Sequence, residues 1–213
     1  HTTSPYVTAY PFDPTTGFGS KMANPSSLPA ASTAYSVEFS PSGGEIAVGT
    51  DTSQYIYTYP FTSNGFGTKF SDPGSSLPGT VHDMVFSPDS DQIWIAHVNS
   101  PYVSGYDWSN AGFGSKYSNP SSLPAGSGKG VDVNSDASYL CLAHDSSPYA
   151  GIWAISGSGF GAKSANPAVL PAGAGRSAGF SPANTEVAIG GSSPYAEAWA
   201  VSGGTWGAQL TDP

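Results

Sequence analysis

Gly65-Phe66-Gly67-Thr68-Lys69 and Gly112-Phe113-Gly114-Ser115-Lys116 are one short phrase written twice, 47 residues apart. The phrase stands again at Gly17-Phe18-Gly19 and Gly159-Phe160-Gly161, and in altered form at Thr205-Trp206-Gly207, so that successive steps are 48, 47, 47 and 46 residues. Leu-Pro follows the first four, at Leu28, Leu77, Leu123 and Leu170. Phe39-Ser40-Pro41, Phe86-Ser87-Pro88 and Phe180-Ser181-Pro182 keep the same beat, with Val133-Asn134-Ser135 in the remaining slot. A fixed period of this length marks supersecondary units that bury their apolar faces on one another.

Each unit reads as four short strands, a to d. Strand a alternates, as in Tyr35-Ser36-Val37-Glu38-Phe39, and stops at a turn such as Ser40-Pro41-Ser42-Gly43-Gly44. Strand b is apolar on both sides: Ile46-Ala47-Val48, Ile93-Trp94-Ile95-Ala96, Leu140-Cys141-Leu142-Ala143 and Val187-Ala188-Ile189. That is the pattern of a strand covered on both faces. Strand c carries aromatics (Tyr55, Tyr57 and Tyr59; Tyr106 and Trp108; Trp153; Trp199), and strand d is the Phe-Gly phrase, closed by Asn-Pro or Asp-Pro. With 27 Gly and 19 Pro, no segment shows helical periodicity.

Four strands per unit of about 47 residues is the blade of a β-propeller. The expected fold is therefore all-β, with four-stranded antiparallel blades, four full repeats and a partial blade at the N-terminus. Residues 1–213 form a single domain or a segment of a longer array, divided as 1–27, 28–76, 77–122, 123–169 and 170–213. His1 to Pro5 align with His97 to Pro101, so the sequence holds five c and d strands but four a and b strands. A longer parent chain or a homo-oligomer is expected to complete the unfinished blade. Phe39, Phe86 and Phe180 are expected between blades, on the innermost strand.

The Phe86-Ser87-Pro88-Asp89 segment, the small-residue strand after it and the aromatic third strand resemble a WD40-type repeat. Ser4-Pro5-Tyr6-Val7 and Ser100-Pro101-Tyr102-Val103 are similar to the tandem propeller repeats of bacterial surface and phage-associated proteins. Tyr106-Asp107 stands in for the Trp-Asp ending, and no Gly-His pair precedes strand a. The resemblance implies a scaffold for protein or glycan recognition. Ser87 to Trp94 also nearly matches the Asp box of sialidase-type propellers, with Asp91 in place of Gly; the plain reading is a hairpin turn.

Composition narrows the partners. Charged residues make up 10% of the chain and the net charge is −9, which disfavours nucleic acid and anionic membranes. No apolar run is long enough to insert in a bilayer. The 38% hydrophobic content supports a sizeable core, and the lone Cys141 allows no internal disulfide. The four His (His1, His82, His97, His144) have no zinc-ligand spacing, and Asp89 with Asp91 fall short of a calcium ligand set, so neither metal nor cofactor is expected.

Two sets of residues invite a functional reading. Lys21, Lys69, Lys116 and Lys163 share one slot of strand d; local pairing and coverage of aromatics account for them better than a polyanion site does. Tyr35, His82, Lys129 and Arg176 share the slot four residues before the last residue of strand a, polar each time but never the same. With His97, His144 and Asp145 from the adjoining b–c loops, they form the candidate binding site at the channel mouth, suited to a polar or anionic ligand. The expected function is a non-catalytic interaction or structural module, extracellular, cell-surface or virion-associated, with a protein or glycan partner. A lectin-type propeller is the alternative, and a propeller hydrolase or lyase the third, since no acid–base pair stands out in the sequence.

Overall fold

A computed structural model describes residues 1–30, 33–192 and 195–211. Among them no residue is helical, and no helix long and apolar enough to cross a membrane is present. The first two strands, β1 (Phe12–Asp13) and β2 (Gly17–Phe18), pair only with each other. Four four-stranded antiparallel sheets follow. Blade 1 comprises β3 (Ala34–Phe39), β4 (Glu45–Thr50), β5 (Ile56–Thr62) and β6 (Gly65–Phe66). Blade 2 comprises β7 (Val81–Phe86), β8 (Gln92–His97), β9 (Val103–Ser109) and β10 (Gly112–Lys116). Blade 3 comprises β11 (Gly128–Val133), β12 (Tyr139–His144), β13 (Ala150–Ser156) and β14 (Gly159–Lys163). Blade 4 comprises β15 (Gly175–Phe180), β16 (Glu186–Gly191), β17 (Ala196–Ser202) and β18 (Thr205–Gln209). The fold is a β-propeller arrangement in which β3, β7, β11 and β15 pack side by side on the inner side.

The interfaces follow from the strand patterns. In β8 all six residues are buried, because a second strand is sandwiched between neighbouring blades. Met84 and Phe86 of β7 reach back onto Ala47 and Ile56 of blade 1, while Val131 and Val133 of β11 reach back onto Trp94 of blade 2. The aromatic of each third strand ties down the loop that enters its own blade. Tyr59 Oη donates to Ser27 O (2.7 Å), Tyr106 Oη to Ser75 O (2.8 Å), Trp153 Nε1 to Ser122 O (2.9 Å) and Trp199 Nε1 to Val169 O (3.0 Å). Each acceptor lies one or two residues before a Leu-Pro pair.

One packing expectation needs correction. Phe86 is 3% exposed, but Phe39 is 47% exposed and Phe180 only partly buried. Val37 and Phe39 of β3 face away from blade 2, on the side where no inner hairpin lies over them. Their counterparts Met84 and Phe86 face blade 1 and are covered by it.

The lysines of the outer strand are engaged locally. Lys69 forms an ion pair with Asp72 and lies over the Tyr57 ring. Lys116 donates to Asn119 (3.3 Å), and Lys163 donates to Asn166 (2.6 Å) and lies over Trp153. Around Ser87, the Asp-box-like turn is a structural knot in which Gln92 N donates to Ser87 Oγ (3.0 Å) and Ser87 Oγ to Asp91 (3.1 Å).

Candidate functional site

Tyr35, His82, Lys129 and Arg176 have a common structural cause. In each blade the ladder between the first two strands shifts register across that one residue: between Ala34 and Ser36, Val81 and Asp83, Gly128 and Gly130, Gly175 and Ser177. A bulge leaves its residue out of the pairing and re-aims its side chain. The variable slot of the sequence is thus the bulge slot of the inner strand.

Three of the four side chains meet. The Tyr35 ring stands edge-on to His82 with centroids 5.3 Å apart, and Lys129 Nζ lies 3.0 Å from His82 Nε2. Lys129 also faces Asp145 Oδ2 at 3.8 Å. Burial and then the Lys129 ammonium hold His82 below the usual histidine range, so the imidazole is neutral and its Nε2 accepts a hydrogen bond from Lys129 Nζ. Asp145 is fixed by the backbone, since Ser127 N donates to its Oδ1 (3.0 Å). Arg176 is exposed on β15 and joins no member of this group.

His97 and His144 belong elsewhere. Both are fully buried, and burial drives both down to about 4. His97 is a packed internal residue with Nδ1 2.8 Å from Asn99 O and Nε2 2.9 Å from Ser104 Oγ. Neither ring nitrogen of His144 has a hydrogen-bond partner, and the Ser146 backbone faces the ring without reaching bonding geometry. The expected channel mouth therefore loses two imidazoles: each closes a strand b whose two faces are covered, so the ring points into packing rather than solvent.

A second group on the inner strands escaped the reading of the sequence. Glu38, Asp83 and Asp132 lie close enough that the two aspartates act electrostatically on Glu38. Two of them have structural tasks. Asp83 Oδ2 accepts from Val131 N (3.0 Å) and Asp132 Oδ2 from Phe180 N (2.7 Å), so that each caps an amide on the inner edge of the following blade. Burial raises both carboxyls even so. Glu38 accepts no hydrogen bond among the described residues, and burial followed by the two aspartates lifts its carboxyl to about 7. The signal was present: three acidic side chains inside inner strands of a chain with few charges, where acidic residues are seldom placed. No group of three or more His, Cys, Asp or Glu among the described residues is arranged to hold a metal ion.

No protein-family model and no curated relative matches the chain. Among solved structures it is similar to the periplasmic gluconolactonase of Pseudomonas aeruginosa, with 16% identity and a TM-score of 0.70 over 96% of this chain and 62% of that one. It is also similar to hydrazine synthase of Kuenenia stuttgartiensis, with 10% identity and a TM-score of 0.61 over 83% of this chain and 48% of the other. The chain thus spans roughly half to three-fifths of the proteins it resembles. At such identities the likeness establishes the propeller fold. It also corrects the expectation of a non-catalytic interaction module, because a propeller that this chain matches over nearly its whole length is a gluconolactonase.

Proposed function

We propose that the protein is an acid–base enzyme built on a propeller, with Glu38 as the proton-transferring group. The observation that carries the reading is the Glu38 carboxyl at about 7, uncapped beside two capped aspartates. A carboxyl near the working pH is populated in both forms and serves equally to take and to give a proton. The Tyr35, His82 and Lys129 group at the start of the same inner strands supplies a hydroxyl, a neutral imidazole and an ammonium for an anionic or hydroxylated substrate. Taken with the gluconolactonase likeness, this supports a small hydroxylated ester or lactone as substrate: Glu38 accepts a proton from the water that adds to the carbonyl carbon, and returns it to the ester oxygen as that oxygen's bond to the carbonyl carbon breaks.

The test is turnover of a panel of sugar lactones and small hydroxy esters followed by proton release. Glu38→Gln should lower kcat by at least about a hundredfold, the scale of a single general acid–base group, with the circular dichroism spectrum unchanged. The wild-type rate should titrate with a limb near 7. Equal rates for Glu38→Gln and wild type, or no turnover of any panel member, would overturn the reading.

A further inference from the structure

Each inner strand turns one edge away from its sheet, and the amides along that edge need acceptors from elsewhere. Ser40, Ser87, Asn134 and Ser181 donate from N to the second strand of their own blade, at Glu45 O, Gln92 O, Tyr139 O and Glu186 O. Successive amides of a strand point to opposite edges, so Phe39 N, Phe86 N, Val133 N and Phe180 N, one residue earlier, point away from the sheet. One carboxylate serves two of these four: Asp132 Oδ1 accepts from Val133 N (2.9 Å) and Asp132 Oδ2 from Phe180 N (2.7 Å).

Phe86 has neither kind of cap. The residue before it is Val85, where blade 3 has Asp132. Between blades the caps run 48 residues forward, from Asp83 to Val131 and from Asp132 to Phe180, and the same step from Glu38 ends at Phe86. Strands β3 and β7 pack side by side as β11 and β15 do. Glu38 nevertheless makes no bond to Phe86 N; it is one methylene longer than an aspartate, and its carboxyl lies within electrostatic reach of Asp83 and Asp132. Among the described residues Phe86 N donates to nothing, although Phe86 is 3% exposed. A buried N–H without an acceptor is rare in a folded protein. This one faces the interface from which Glu38 projects.

We infer that the Phe86 N–H is the oxyanion donor of this site and binds the carbonyl oxygen of the ester or lactone, an inference that rests on Glu38 as the proton-transferring group. As the water oxygen bonds to the carbonyl carbon, an electron pair of the C=O bond moves onto its oxygen. That oxygen takes the place at Phe86 N that the Asp132 carboxylate takes at Phe180 N, approaching from the same side. Glu38 receives the proton of the water. The pair then returns to re-form the carbonyl while the bond to the ester oxygen breaks, and the ester oxygen takes the proton from Glu38. A donor fixed in a strand needs no reorganisation as the charge develops. The length of the side chain at position 38 is what leaves it free, since an aspartate in that slot caps the amide, as Asp132 shows.

The test converts the Val85–Phe86 amide to an ester by incorporating phenyllactic acid at position 86, which removes this N–H and no side chain. On the lactone panel kcat should fall about a hundredfold, the scale of one oxyanion donor, with KM little changed and the limb near 7 retained. The same exchange at position 180 breaks a bond of the fold and should lower the thermal midpoint while sparing kcat. Glu38→Asp keeps a carboxyl but places it on Phe86 N, so kcat should drop to the level of Glu38→Gln and exchange of the Phe86 amide should slow. Methylphosphonate, a tetrahedral oxyanion with no leaving group, should shift the Phe86 amide proton downfield in the wild-type protein and not in Glu38→Asp. If the ester at position 86 turns over like wild type while Glu38→Gln is inactive, the inference is overturned and the role of Glu38 stands. If the wild type turns over nothing, the role of Glu38 falls; the phosphonate titration then still decides, and an unmoved Phe86 amide overturns the inference by itself.

Discussion

Blades 2 and 3 share a period and a topology but not an interior. In blade 2 Trp94 stands opposite Gly105, stacks on Tyr117 and meets Phe160 edge-on; a Cβ on Gly105 has no room. In blade 3 the same pair is Cys141 opposite Ile152, so the bulk has moved from the second strand to the third. The next pairs are exchanged too: Ser104 and Tyr106 give way to Gly151 and Trp153. That swap removes the hydroxyl that serves His97, and His144 is left with bare ring nitrogens. A repeat can thus be kept by compensating volumes at each interface while its hydrogen bonding is not compensated.

The largest effects should come from breaking one half of a volume pair. Trp94→Cys should cost about 3–5 kcal/mol through the cavity it leaves, and Gly105→Ile about 1–3 kcal/mol or more through overpacking. The two together rebuild the blade 3 arrangement and should cost about 1–3 kcal/mol less than the sum of the single changes. Urea denaturation of the four proteins of this cycle checks it, and strict additivity would mean the blades are not exchanging volume.

A similar contrast separates the inner phenylalanines. Phe86→Ala should cost about 3–5 kcal/mol, whereas Phe39→Ala, at an exposed and uncovered position, should stay below about 1.5 kcal/mol on the scale of partial burial. The same denaturation curves decide this, and equal losses would mean that Phe39 is covered in solution.

The histidines sharpen the comparison further. Replacing His144 by Leu removes buried nitrogens with no partner and should leave stability unchanged or higher, while His97→Leu strands the Ser104 hydroxyl and should cost about 1–3 kcal/mol. Both imidazoles titrate at about 4 in the folded protein, below the ordinary 6.5, so the unfolded chain takes up more protons between these values. Stability should therefore fall as pH drops from about 6.5 towards 4, and His144→Leu should flatten that slope. Glu38 has the opposite sign. Its carboxyl is raised from 4.5 to about 7, so the folded state holds the extra proton and stability should decline as pH rises through that window, a decline that Glu38→Gln removes. Thermal midpoints measured across pH report both.

The smallest effect concerns ligand. Lys129→Ala should weaken binding of a small carboxylate such as gluconate about tenfold, in line with loss of one charge-assisted contact, while Arg176→Ala, outside the cluster, should change it little. Calorimetry distinguishes the two, and a larger loss at Arg176 would move the site to the far end of the arc.

The features legible in the sequence were those decided within one repeat. The period, the four strands, the both-sided apolarity of strand b and the local partners of Lys69, Lys116 and Lys163 all depend on neighbours a few residues away. The bulge slot showed itself as chemical variation, because a residue left out of the ladder is not selected for packing. What was illegible depends on the adjacent blade. Phe39 and Phe86 share a slot, and only the presence or absence of a covering hairpin separates them. His97 and His144 looked like loop residues, yet they close strands sandwiched between blades. Glu38 and Asp132 share a slot, but Asp132 caps the Phe180 amide of the next blade whereas Glu38 caps none among the described residues.

The tie between each third-strand aromatic and the carbonyl ahead of Leu-Pro bears on how such a chain could have multiplied. A segment running from one Leu-Pro to the next takes its donor from one copy and its acceptor from the copy before, since Ser75 lies upstream of Leu77 and Tyr106 downstream of it. A segment copied from one Asn-Pro or Asp-Pro to the next, such as 72–118, carries both ends of the bond within itself. The self-contained unit of this bond is therefore offset by a few residues from the repeat that the eye picks out.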